Sequence, residues 1–157
     1  MNKPEIKTMA NLEAAFAGES MAHTKYRYFA KIARAEGHEE VARVFEETAA
    51  QEVQHALGHL DLLYPRSGMN TARCLEMAIE GETYEYSEMY PGFLKAAQDE
   101  GNAAAVSEIR EQITESKEHA ELFRSTLEKA AKRFAALAKV EERHAKQYRN
   151  ELDNINA

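Results

Sequence analysis

From Asn102 to Ala157 the chain contains neither glycine nor proline, and its apolar side recurs at alternating spacings of three and four residues. Val106, Ile109, Ile113, Ser116, Ala120, Phe123, Leu127, Ala130, Phe134, Leu137, Glu141, His144, Tyr148 and Leu152 follow that rhythm. Such a spacing gathers all of them on one face of an α-helix, with no breaker to interrupt it. The stretch predicts one very long helix, or two helices joined by a tight bend.

The rest of the chain reads the same way. Leu12, Ala15, Phe16, Tyr26, Phe29, Ile32 and Ala33 predict a helix over 10–35, ended by the Glu36–Gly37 pair. The spacing resumes from His38 through Val41, Val44, Phe45, Thr48, Glu52, His55 and His59, until "YPRSGMN" at 64–70 supplies Pro65 and Gly68 as breakers. A third helix is expected from about Thr71 to Glu100, kinked rather than ended by Pro91 and Gly92. With 44% hydrophobic and 30% charged residues and only 7 Gly and 3 Pro, the composition favours amphipathic helices over a sheet.

Charge and cysteine content narrow the function. A formal charge of −7 and a pI near 5.4, with no basic block, argue against a nucleic-acid or anionic-membrane surface. Cys74 is the sole cysteine, which removes an intramolecular disulfide, a four-cysteine iron or zinc site and a CxxC redox pair. The opening residues lack an apolar run long enough for a signal peptide or a membrane span, so a cytoplasmic location is expected.

The two halves repeat one another. "FAGES" at 16–20 matches "IEGET" at 79–83, and each half then reaches an "EG" pair that opens another helix. His55 lies eighteen residues after Gly37 and His119 eighteen after Gly101, both followed by alanine. Duplicated hairpins, 1–64 and 71–157, make a single all-α domain: a four-helix bundle with an extended or additional C-terminal helix.

On that framework Glu19 and Glu82 each follow a glycine, Glu85 comes one turn after Glu82 on the same face, and Glu52 and His55 continue the apolar stripe of Phe45 and Thr48. A single Glu-x-x-His on a helix is more often a solvated pair, and His23, His38 and His59 read as surface or capping residues. Four inward glutamates are different, because a buried carboxylate costs several kcal/mol unless it is paired or bound to a cation. Metal ions supply that compensation. One Glu from each of two helices, with Glu-x-x-His from the other two, is the di-iron carboxylate pattern.

At these residues the chain resembles the rubrerythrin family, specifically its ferritin-like di-iron domain. "NLEAAFAGESMAHTKYRYFA", "FEETAAQEVQHA", "AIEGETYEYSEMYPGF" and "AKVEERHAKQY" carry the resemblance over nearly the whole chain. It implies a ferritin-like fold holding two iron ions bridged by carboxylates, with Glu19, Glu52, Glu82 and Glu85 as iron ligands. His55 would take over from Glu85 when the cluster is reduced, and Tyr26 and Tyr90 would hydrogen-bond the bridging carboxylates. Ala22 sits where Glu85 sits in the other half, so the site should be asymmetric.

Two departures from the family pattern matter. The four cysteines of the rubredoxin module that often accompanies this domain are missing, so electrons are expected from an external, rubredoxin-like donor. The last ligand pair is ambiguous. Counting from Gly101 puts the ligand glutamate at Ser116, with Glu115 beside it and His119 in register, whereas "VEERHAKQY" points to Glu141 and His144, as if about 25 residues had been inserted. A straight helix would separate the two pairs by almost ~40 Å. A reversal near 126–132, or exchange of the last helix between subunits of a homodimer, would bring Glu141 and His144 to a site. Their exact three-residue spacing favours them slightly, with Glu115 and His119 as the alternative.

The resemblance implies a peroxidase that reduces hydrogen peroxide, or takes oxygen, at the di-iron centre. Two further classes are an iron-handling ferroxidase of the ferritin type and a non-catalytic helical interaction module.

Overall fold

The structure, a computed structural model, describes residues 7–155, and every regular element among them is helical. Two compact units divide between Met69 and Asn70.

The first unit is a hairpin of α1 (Thr8–Ala35) and α2 (Glu39–Leu63). Alanine sets its spacing: Ala42, Ala49 and Ala56, seven residues apart and so on one face of α2, are all buried, as are Ala30 and Ala33 on α1. Small side chains let the two backbones approach closely, and Phe45 packs beside the Ala30, Ala33 and Ala42 cluster. Gly37 makes the turn with φ +83°, a left-handed conformation that costs other residues about 1–2 kcal/mol. The His38 amide closes the turn on the Ala33 carbonyl at 2.8 Å. Arg34 braces the same end by donating to Glu39 at 3.0 Å and to Glu46 at 2.8 Å.

A short 3₁₀ turn (Arg66–Gly68) precedes the second unit, whose α3 (Thr71–Tyr84) is capped by Asn70: its side chain accepts from the Arg73 amide at 2.9 Å. One π-helical turn (Glu85–Met89) leads into α4 (Tyr90–Asp99). The kink expected at Pro91 and Gly92 is therefore displaced upstream. A proline clashes with the carbonyl four residues back, which here is Ser87, in the middle of the π turn. The second glycine turn copies the first, with Gly101 at φ +70° and the Asn102 amide on the Ala97 carbonyl at 2.9 Å.

From Ala103 to Ile155 the chain is one helix, α5, of 53 residues. It packs on α3 and α4. The reversal expected near 126–132 does not occur, because nothing in that stretch breaks the helix. Beyond residue 130 the stripe continues uncovered, with Phe134 65%, Tyr148 71% and Ile155 80% exposed. Among the described residues no helix is long and apolar enough to cross a membrane.

Candidate metal centre

Each unit assembles a carboxylate–imidazole group. In the first, Glu19 stands on α1 and Glu52 and His55 one turn apart on α2, with ligand atoms all within 4.8 Å of one another. Glu52 is the more protected, at 17% exposure, and its Oε2 lies 3.1 Å from His55 Nδ1. A hydrogen bond to Glu52 pushes the Glu19 carboxyl above its ordinary range, helped by burial, and the same bond lowers Glu52. Such a crowded pair, with an imidazole beside it, suits a cation.

His23 and Tyr26 support this group from α1. His23 is half-buried rather than a surface residue, and its Nδ1 lies 2.7 Å from the Ala49 carbonyl. A carbonyl only accepts, so Nδ1 carries the proton. The bond clamps α1 to α2 one turn from the ligands. Tyr26 was expected on a bridging carboxylate, but its ring packs on Phe45, with centroids 6.0 Å apart, and on Phe29 at 6.4 Å. Apolar packing is what its half-buried position offers.

In the second unit, His119 Nδ1 on α5 lies 3.5 Å from Glu82 Oε1 on α3. Ser116, only 4% exposed, donates from Oγ to Glu85 Oε2 at 3.1 Å. Tyr90 follows closely: burial raises its hydroxyl pKa first, and Glu85, Glu82 and Glu108 add to the effect. Its phenol therefore stays protonated at neutral pH and can donate a hydrogen bond. Thr83 Oγ1, beside Glu82, is buried without a hydrogen-bond partner among the described residues.

The remaining candidates stand apart from this group. Glu115 is exposed and lines an open groove of about 860 Å³ with Gln98, Arg110 and Glu111, on another face of α5. Glu141 and His144 pair with each other at 3.8 Å, 77% and 52% exposed. Twenty-five residues is about seven helical turns, so they share the stripe of Ser116 and His119 but lie ~37 Å further along an unbroken helix. Within this unit they cannot join Glu82 and Glu85, contrary to the preference for them.

The rubrerythrin family profile matches residues 10–127. The chain belongs to the rubrerythrin family. The matched segment contains Glu19, Glu52, His55, Glu82, Glu85, Ser116 and His119, and leaves Glu141 and His144 outside. Nigerythrin of Nitratidesulfovibrio vulgaris is 42% identical over 63% of this chain and 55% of its own length. Rubrerythrin of Porphyromonas gingivalis is 40% identical over 60% and 53%, so the chain spans about half the length of these two relatives. Rubrerythrin of Nitratidesulfovibrio vulgaris is 31% identical over 95% of this chain and 71% of its own. A nigerythrin structure in the fully reduced, all-ferrous state is 35% identical over 83% of this chain and 70% of that one, with a TM-score of 0.39.

Rubrerythrins bind a di-iron centre, and the donor set in this chain fits one. The first unit gathers two carboxylates and one imidazole and the second pairs Glu82 with His119, oxygen-rich donors with borderline nitrogen that suit divalent iron or manganese. The sequence pattern alone did not reveal the His23 clamp, the π turn or the Ser116–Glu85 bond. A half-buried histidine one turn from a ligand, and a serine in a ligand register, were the available signals.

Proposed function

We propose that the carboxylate and imidazole side chains gathered in each unit supply the ligands of the di-iron centre, and that this centre reduces hydrogen peroxide to water. The observation that carries this reading is the Glu19, Glu52 and His55 cluster, whose ligand atoms lie within 4.8 Å of one another in a member of the rubrerythrin family. The proposed ligands are Glu19, Glu52, His55, Glu82, Glu85 and His119. Two ferrous ions would supply the two electrons that peroxide takes up, with two protons, in becoming two waters.

The chain's own residues prepare that reaction. Glu19, Glu52 and His55 present their ligand atoms within 4.8 Å of one another, ready for a cation. Tyr90, whose hydroxyl pKa is raised by burial and then by Glu85 and Glu82, is the proposed proton donor. His23 and the buried alanines fix the hairpin so that Glu19 and Glu52 face each other without rearrangement. We infer that the electrons return through a rubredoxin-type centre, whose four cysteines these 157 residues, with one cysteine, do not supply.

Anaerobic stopped-flow mixing of the iron-loaded, reduced protein with peroxide tests the reading. One peroxide consumed per two irons supports it. Oxidation by oxygen with iron leaving the site, or many irons accumulating per chain, would instead favour the ferroxidase reading. A chain that binds no metal would be an interaction module.

A further inference from the structure

The two units hold the same ligand inventory on different helices. In the first, α1 gives Glu19 and α2 gives Glu52 and His55, while the position one turn after Glu19 is Ala22. In the second, α3 and its π turn give Glu82 and Glu85, α5 gives His119, and the position three before His119 is Ser116. Where one unit has a small residue the other has a carboxylate, at both places.

The register of the repeat locates the change. Glu19 to Glu82 is 63 residues, as is Ala22 to Glu85, but Tyr26 to Tyr90, Gly37 to Gly101 and His55 to His119 are each 64. One extra residue therefore enters between 85 and 90, where the single π turn runs from Glu85 to Met89. A π turn accommodates one added residue in a helix. It begins at the very carboxylate that has no counterpart in α1. Opposite it, Ser116 is buried, and its hydroxyl is satisfied by Glu85 at 3.1 Å.

We propose that Ser116 is a positioning residue: it holds Glu85 so that this carboxylate, carried by the other helix, fills the ligand place of the glutamate missing before His119. The second unit is then a complete ligand set with one carboxylate relocated across the hairpin, rather than a set with one lost. Ser116 is small and buried, and its hydroxyl donates to Glu85. This inference rests on the di-metal reading above.

Titration of the full chain with Co(II), a redox-stable stand-in for ferrous ion, followed by calorimetry and by the cobalt visible spectrum, tests it. The wild-type chain is expected to take two ions. Glu85→Ala should weaken one of them at least tenfold, and the double variant Glu85→Ala/Ser116→Glu, which copies the first unit, should restore it to within about threefold. Ser116→Ala should weaken binding about tenfold and Ser116→Thr, which keeps the hydroxyl, should not. A double variant that folds and binds no better than Glu85→Ala would overturn the relocation. Ser116→Ala binding like wild type would overturn the positioning role, and this arm decides if the double variant does not fold. Wild-type protein that takes no cobalt would overturn the metal centre itself and this inference with it.

Discussion

Glu52 carries two loads, and a single substitution separates them. It sits beside Glu19 and 3.1 Å from His55 Nδ1 in a position only 17% exposed. Glu52→Ala should lower metal affinity by at least tenfold in calorimetry, while the metal-free variant changes little in melting temperature, because relief of the crowding at Glu19 offsets the lost Glu52–His55 contact. Arg34 behaves oppositely. Its hydrogen bonds lower the carboxyl pKa values of Glu39 and Glu46 below the ordinary 4.5. A folded-state pKa below the unfolded one gives stability that is present above about pH 4.5 and lost as pH falls through the lowered values. These groups are largely exposed, so the effect is small. Urea melts should find Arg34→Met less stable than wild type near neutrality and the difference shrinking as the pH falls below 4.5. The proposed ligand residues Glu19, Glu52, His55, Glu82 and Glu85 could be read from the chain because charge on an apolar stripe stands out. Ser116 could not be read this way, because a serine at a ligand position looks like a loss until its partner is seen.

Helices and turns follow from local chemistry that the sequence displays openly. The Gly37 and Gly101 turns both need positive φ, so an alanine at either should cost about 1 kcal/mol in chemical denaturation, and nothing lies within 4 Å of the added methyl to increase that. The α1–α2 contact depends on alanine instead of bulk. Ala49 is 1% exposed and lies at the level of the His23 clamp, so Ala49→Leu should force the helices apart, cost about 1–3 kcal/mol and weaken metal binding with it. The same substitution at exposed Ala50 should change neither. The π turn was hidden for a physical reason: Pro91 marks itself in the sequence, but the carbonyl it displaces lies four residues earlier. The 63-to-64 change of repeat spacing is the trace it leaves.

Neither hairpin buries its apolar surface well by itself. No large side chain among the described residues is fully buried; Val44 is 61%, Leu62 60%, Phe93 52% and Leu122 58% exposed. At roughly 25 cal/mol per Å² such faces favour association, so the protein is expected to sediment as a homodimer or larger assembly, with a concentration-independent monomer as the contrary result. The periodicity of α5 displayed its helix and its stripe from end to end, but not whether the helix turns back, because apolar spacing is the same in a straight helix and in two packed ones. That ambiguity is why Glu141 and His144 competed with His119. Metal should stabilise the whole assembly, by about 4 kcal/mol when the free ion is a thousandfold above its dissociation constant, and a chelator should reverse the gain in melting temperature. The most direct test of the di-iron centre is a crystal of the iron-loaded protein with anomalous scattering recorded at the iron edge. Two peaks per chain, contacted by Glu19, Glu52, His55, Glu82, Glu85 and His119, are the expected result. Peaks at Glu115 or at Glu141 and His144, or none at the Glu19, Glu52 and His55 cluster, would contradict it.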